Sequence, residues 1–355
     1  MGATKRTATR TAIRKRHGRT AVKPIALALQ GGGSHGAFAW GVLDRLLEDR
    51  QLSFEGVSAT SAGAMNAAVL AYGLLQGRDG ARTALHNFWH AIARSAEFYS
   101  PVRQLPWLKR SPFALDHSPL HFWTDLWLRV FSPYEFNPLN LNPLSDVLQR
   151  HVDFAALRKH SPLLLYLCAT NVETGKVRIF SSAEISVEAV LASACLPFLF
   201  QAVEIDGQHY WDGGYVGNPA IYPLIYNCDT RDVVIVHINP IVRRGVPRTA
   251  TEILNRINEV SFNSSLMREL RVIAFVMSLI QSGKVARGEL KEVLIHSIRS
   301  DETMAGLGVA SKLNTDWEFL CHLRDLGCAQ AEHWLAATLD DIGVRSSVDV
   351  HGEFL

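Results

Sequence analysis

The sequence has no cysteine pair spaced C-x-x-C. Its five cysteines, Cys168, Cys195, Cys228, Cys321 and Cys328, are odd in number and scattered. That excludes a disulfide framework and a cysteine-based zinc site, and it points to small buried thiols in a reducing compartment. Long apolar runs are also missing. The longest, such as Val272 to Ile280, fall short of the roughly 20 residues a helix needs to cross a bilayer, so no transmembrane span is expected. Acidic residues are absent from positions 1–24, which carry Lys5, Arg6, Arg10, Arg14, Lys15, Arg16, Arg19 and Lys23. This segment also lacks the roughly 7 to 15 apolar residues of a secretory signal, so it does not read as one. A solvated, disordered tail is expected. The same composition suits an organelle transit peptide, a nucleic-acid arm or a peripheral contact with an anionic membrane. We expect a cytoplasmic protein with no nucleic-acid partner. No internal repeat is present.

What is present is ordinary in bulk and specific in pattern. The 355 residues are 48% hydrophobic and 20% charged, enough to bury a large core, and the net charge of +2 leaves the body slightly acidic once the tail is set aside. From Pro24 the pattern alternates strand and helix: Ile25 to Leu29, Ala37 to Asp49, Phe54 to Ala59, Ala62 to Leu75. Continuous apolar runs at Leu163 to Ala169 and Val233 to Ile238 suit strands covered on both faces. This is the signature of a parallel sheet flanked by helices. Val203 to Trp211 reads as a hairpin turning at Asp206-Gly207. Residues 96–145 are rich in aromatics and proline, including Trp107, Phe113, Phe122, Trp123, Trp127, Phe131 and Tyr134. They are expected either to cap a lipid-like pocket or to pack on the core. Past residue 250 the chain reads as helical, over Glu252 to Leu270, Arg271 to Leu279, Asp316 to Leu326 and Ala329 to Ile342, with a late strand at Leu294 to Ile298. No linker separates a second domain from the body at 25–355.

Two turns near the start carry the chemistry. Gly31-x-Gly33-x-x-Gly36 follows a strand and opens a helix, which fits a dinucleotide fingerprint as well as a loop of inward amides. The dinucleotide reading requires an acid closing the second strand, but Glu55 opens that strand. Ala59-Thr60-Ser61-Ala62-Gly63 then places Ser61 on a strand-to-helix turn among small residues, close to the G-x-S-x-G elbow, with alanine in the first glycine position. Ser61 is the candidate nucleophile; Ser53, Ser58 and Thr60 sit at no such apex. The amides of Gly32, Gly33 and Ser34 are the candidate oxyanion donors. No histidine occupies an evident base position. Asp212, in Asp212-Gly213-Gly214, is the better candidate, on a flexible turn able to present its carboxylate outward.

The order glycine loop, serine turn, D-G-G resembles the patatin-like phospholipase family. Asn142-Pro143-Leu144, Ala169-Thr170-Asn171 with Thr174-Gly175, and Ala192-Ser193-Ala194-Cys195-Leu196-Pro197 before Phe200 extend the likeness over residues 25–240. The resemblance implies a three-layer α/β/α fold and hydrolysis of lipid esters through an acyl-serine, with no metal or other cofactor. Carried over, Ser61 is the nucleophile, Asp212 the general base, and Gly32, Gly33 and Ser34 the oxyanion loop, with Gly31, His35, Gly36, Gly63, Gly213 and Gly214 as supporting residues. The family usually has arginine or lysine where His35 stands. From its place in the glycine loop His35 is a candidate to touch a substrate phosphate or to cap the helix, and as a largely neutral imidazole it is a weaker anion contact than those residues. An inert lipid-binding protein on the same fold would be expected to lack Ser61 or Asp212, and both are present.

Overall fold

The computed structural model describes residues 22–99, 132–286 and 288–355. Nearly all of the basic tail lies outside the described residues, as does the bulk of the aromatic insertion, Trp107, Phe113, Phe122, Trp123, Trp127 and Phe131 included.

Eight strands form one sheet: β1 (Lys23–Leu29), β2 (Leu52–Thr60), β3 (Leu164–Asn171), β4 (Val177–Ser181), β5 (Val203–Ile205), β6 (Gln208–Asp212), β7 (Asp232–Val236) and β8 (Leu294–Ile298). The order is β5-β6-β3-β2-β1-β7-β8, with β4 also paired to β3. From β3 through β8 along this order the pairing is parallel, whereas β4, β5 and β6 add antiparallel pairs at one side. The hairpin β5-β6 turns on Asp206 and Gly207, both at positive φ (52° and 72°), as expected of a two-residue Asp-Gly turn.

The main helices are α1 (Gly36–Glu48), α2 (Ala62–Leu74), α3 (Gly77–Tyr99), α4 (Val187–Ser193), α5 (Ala250–Gln281) and α6 (Trp317–Thr338). Period-two alternation decides which layer each strand residue joins. On β1, Ile25, Leu27 and Leu29 pack into a core with Phe38 of α1, Leu70 of α2, Phe88 of α3, Val190 of α4 and Phe319 of α6. Ala26 and Ala28 face the opposite layer, where Leu266, Leu270 and Ile273 of α5 pack with Leu224 and Phe354. Each fully buried leucine there contributes about 2 kcal/mol over its exposed state. The result is a three-layer α/β/α arrangement with a helical C-terminal region.

Two expectations for that region are corrected. The helices expected at Glu252 to Leu270 and Arg271 to Leu279 are one continuous helix, α5, started by a capping box of Thr249 and Glu252. The pair expected at Asp316 to Leu326 and Ala329 to Ile342 is likewise one helix, α6. Gly327, in the gap between them, is a packing position: a Cβ there would lie 2.1 Å from the Phe38 carbonyl oxygen, and one on Gly41 would lie 1.9 Å from that of Arg324. The glycines let α1 and α6 touch backbone to backbone.

Candidate active site

Parallel β1 and β2 bring the glycine loop and the serine turn to one end of the sheet, the end where open α/β sheets place their ligands, and antiparallel β6 adds the Asp212 turn beside β3. β2 runs into Ser61, the residue just before α2, and Ser61 takes φ 56°, ψ −123°, a left-handed conformation rare for a side chain with a Cβ. Such strain persists only where the surroundings enforce it. Here the Ser61 amide donates to Ser193 Oγ at 2.9 Å, and that hydroxyl donates in turn to the Cys168 carbonyl at 2.6 Å. Ser193 closes α4 and Cys168 lies on β3, so two further elements fix the turn. Behind the turn, Gly63 leaves room for the Leu29 carbonyl, 2.4 Å from where a Cβ would stand. Ala59, in the position where the elbow pattern has glycine, lies fully buried within β2 and does not take positive φ. Its methyl group therefore meets no conformational demand for glycine.

Asp212 ends β6, beside Ala169 of β3. Its amide donates to the Cys195 carbonyl at 2.8 Å, and its carbonyl accepts from Thr170 Oγ1 at 2.7 Å. The carboxylate is fully buried, where an outward, flexible presentation was expected. Gly213 and Gly214 do not adopt positive φ. They are small because a Cβ on Gly213 would lie 2.1 Å from the Cys168 carbonyl oxygen and one on Gly214 would lie 2.4 Å from the Phe262 ring. Asp212 Oδ1 accepts from the Gly214 amide at 2.7 Å, while Oδ2 makes no hydrogen bond of regular geometry. Burial pushes the pKa up to about 6, with the nearby Ser61 hydroxyl, the Gly214 amide and the Lys312 charge pulling it partly back. Ser61 is thus close enough to influence the carboxyl without yet being seated on Oδ2. Catalytic hydrogen bonds are often loose in this way before substrate binds.

The glycine loop leaves β1 through Gln30. The Gly31 amide donates to Asn218 Oδ1 at 2.6 Å, and the Gly31 carbonyl accepts from Asn239 Nδ2 at 2.9 Å. Gln30 accepts from the Ile238 and Asn239 amides at 2.8 and 3.0 Å and donates to Asn263 Oδ1 at 3.0 Å. Gly32, Gly33 and Ser34 enter a single 3-10 turn (Gly33–His35) ahead of α1. The leading amides of such a turn have no partner within it and can serve an external anion. Gly36 opens α1 against α2, where a Cβ would lie 2.6 Å from that of Ala62.

A profile of the patatin-like phospholipase family matches residues 27–225, which is over half of the chain. The chain belongs to that family. Among solved structures it is similar to VipD from Legionella pneumophila, at 14% identity, covering 86% of this chain and 67% of VipD, with a TM-score of 0.37. It is also similar to ExoU, at 16% identity, covering 89% of this chain and 53% of ExoU, with a TM-score of 0.35. In the complex of ExoU with SpcU from Pseudomonas aeruginosa, the identity is 15% over 90% of this chain and 53% of the other, with a TM-score of 0.35. The chain spans about half the length of ExoU. No curated protein matches it. Membership in the patatin-like family supports a lipid hydrolase.

Within this patatin-like frame, His35 departs from both of its expected roles. Its ring is buried, Nε2 lies 2.7 Å from Ser311 Oγ, and the ring tilts against Phe319. It makes no side-chain cap to α1. Burial, aided by the Lys312 charge, lowers its pKa to about 3, so it is a neutral strut that ties the loop to the 3-10 turn Val309–Leu313. Ser58 and Thr60 are occupied elsewhere: Ser58 bonds the Ala220 carbonyl, and Thr60 Oγ1 donates to the Gly217 carbonyl at 2.7 Å. Among the described residues, a cavity of about 650 Å³ opens between the helix Pro143–His151 and the β5-β6 hairpin, with His209 in its wall, but neither Ser61 nor Asp212 lines it.

Sequence reasoning did not identify Gln30, Asn218, Asn239, Asn263 or Lys312. Lys312 is the cation of the site. Its Nζ donates to Asn239 Oδ1 at 2.8 Å and stands 5.2 Å from the Phe262 ring centroid. Burial lowers its pKa to about 8, with Glu259 and Asp212 opposing that shift. The available signal was a polar residue directly following an apolar strand, as in Gln30 after Leu29 and Asn239 after Ile238.

Proposed function

We propose that the chain is a serine acyl hydrolase that cleaves ester bonds of lipids through an acyl-Ser61 intermediate. The observation that carries this reading is the left-handed Ser61 turn beside a buried carboxyl whose Oδ2 has no hydrogen bond. Ser61 Oγ attacks the ester carbonyl carbon while its proton passes to Asp212, and the carbonyl oxygen takes up the negative charge. The amides of Gly32, Gly33 and Ser34 stabilise that charge, each by on the order of 3 kcal/mol. The tetrahedral intermediate collapses, the ester C–O bond breaks, and the leaving alcohol takes the proton from Asp212. Water then attacks the acyl carbon, gives a proton to Asp212 and forms a second tetrahedral intermediate. Its collapse releases the carboxylic acid and returns the proton to Ser61. A pKa near 6 keeps Asp212 ionised at neutral pH, yet makes it a better proton acceptor than a free aspartate near 4.

The dinucleotide reading has no comparable support. Glu55 accepts from the Asp229 and Thr230 amides at the far end of β2, and the Gly31 amide is engaged by Asn218. The test is labelling with a fluorophosphonate probe combined with turnover of a short-chain ester. Wild type should label and turn over, Ser61→Ala should do neither, and Asp212→Asn should fold but lose turnover. A wild type that takes no label supports an inert lipid-binding protein, and normal turnover by Asp212→Asn removes the dyad. Hydrolysis across phospholipid, lysophospholipid and triacylglycerol substrates then identifies the lipid class.

A further inference from the structure

α5 has two faces with different business. Its inner face braces the site: Phe262 packs on Gly214, Asn263 bonds Gln30, Ser265 Oγ accepts from the Asn218 amide at 3.1 Å, and Glu269 accepts from the Ile221 and Tyr222 amides at 2.7 and 2.9 Å. The outer face, set by steps of three and four residues, carries Ile253, Leu254, Ile257, Val260, Val272 and Phe275. All six are exposed, Ile257 by 58% and Phe275 by 62%.

The charges on this face have one sign. Arg268 and Arg271 are exposed on it and make no ion pair among the described residues. The acids of α5 are directed elsewhere: Glu252 caps the helix start, Glu259 is buried against Arg243 and Arg256, and Glu269 turns inward. The loop leading into the helix continues the pattern with exposed Val242, Arg244, Val246 and Arg248. Exposed Tyr215, next to the Asp212 turn, meets the inner-face ring of Phe262 at 5.7 Å, so the thickness of the helix separates the outer face from the site.

We propose that this outer face of α5 docks the protein on an anionic lipid surface. An apolar stripe bearing arginines, with the exposed Glu252 confined to the capped start of the helix, matches the boundary between acyl chains and negative headgroups. It fits a second copy of the same face poorly, because a two-fold pairing would oppose arginine to arginine. The choice of occupant rests on the lipid-hydrolase reading. Docking there would bring the lipid surface within about one helix diameter, 10–12 Å, of the loop that carries Asp212.

The test uses the full chain and co-sedimentation with vesicles of phosphatidylcholine alone or mixed with phosphatidylglycerol. Wild type should bind the anionic vesicles preferentially and less at high salt. The double variant Ile257→Glu with Phe275→Glu should bind roughly tenfold or more weakly while hydrolysing a soluble short-chain ester as wild type does. Arg268→Ala with Arg271→Ala should lose the preference for the anionic vesicles. Unchanged binding by the Glu variant overturns the proposal. So does a wild type that ignores vesicles but forms a concentration-dependent dimer abolished by the same variant. Ser61→Ala should bind vesicles normally, so the two readings fail separately. Vesicle binding without ester turnover in wild type sinks the hydrolase and leaves the surface, and turnover without vesicle binding does the reverse.

Discussion

Ser193 Oγ accepts the Ser61 amide at 2.9 Å while donating to the Cys168 carbonyl at 2.6 Å, so one hydroxyl joins the serine turn to α4 and β3. It is fully buried, and among the described residues no other acceptor is bonded to the Ser61 amide.

In the proposed mechanism Ser193 is therefore a positioning residue. Ser193→Ala leaves a buried amide and a buried carbonyl unpaired, which costs about 1–3 kcal/mol of stability and lets the left-handed turn relax. Turnover of a short-chain ester should fall about tenfold or more, with KM changed far less, because the displaced atom reacts but does not bind. Ser193→Thr, which keeps the hydroxyl, should recover part of the loss. Steady-state kinetics on both variants check this, and equal losses in Ala and Thr would assign the effect to packing.

Lys312 bears on the pH profile. The proposed base works as a carboxylate, so kcat/KM should rise with pH through an inflection near 6, the value to which burial brings Asp212. The Lys312 charge favours the ionised carboxylate. Lys312→Met should move the inflection upward by about half to one unit. Losing the bond to Asn239 could also slow the reaction, but that would depress the rate at every pH without moving the inflection. A pH series on the variant separates the two effects.

Stability should respond to pH in opposite senses at two buried groups. Asp212 has a folded pKa raised from 3.8 to about 6, so its favourable protonated state is fully available below pH 3.8 and is lost as pH rises through 6. Asp212→Asn should thus stabilise the protein by about 2–3 kcal/mol above pH 7 and by little at pH 4. His237 lies fully buried, stacked on Phe354 at 5.6 Å, with neither ring nitrogen hydrogen-bonded among the described residues. Burial, with the Arg299 charge, lowers its pKa from 6.5 to about 3. Its contribution is present above pH 6.5 and lost as pH falls toward 3. His237→Phe should flatten the acid side of the profile. Thermal melts of both variants between pH 4 and 8 give the comparison.

The turns proposed to bear the chemistry were legible because each is a short local pattern at a strand end: Gly31 to Gly36, Ser61, and Asp212 to Gly214. β1 was legible as an apolar run at Ile25 to Leu29, as a strand covered on both faces reads. The polar support was not legible, because the place of Gln30 after an apolar strand does not tell that it bonds Asn263, 233 positions away. Helix continuity was misread at Gly327 because a glycine that permits close packing looks, in one dimension, like a glycine that ends a helix.

That ambiguity can be tested with one substitution at two sites. A Cβ on Gly31 would stand 2.5 Å from Ser61 Cβ and 2.9 Å from the Thr60 carbonyl oxygen. The crowded partner is the proposed nucleophile itself, on a turn already held at positive φ, so the easiest relief is to move Ser61. Gly31→Ala should cut ester turnover at least 100-fold, a loss that small misplacements of reacting atoms can produce, and reduce fluorophosphonate labelling in parallel. A Cβ on Gly327 would stand 2.1 Å from the Phe38 carbonyl oxygen, with backbone on both sides and no flexible side chain to yield. Relief there means parting α1 from α6 along their whole contact, so Gly327→Ala should cost about 2–3 kcal/mol in a denaturant titration. The folded fraction should keep a near-normal rate per labelled site, because the atoms crowded at Gly327 belong to Phe38 and Val42 and not to Ser61. If Gly31→Ala lost mainly stability, or Gly327→Ala mainly turnover, the assignment of one glycine to the site and the other to the seam would be wrong.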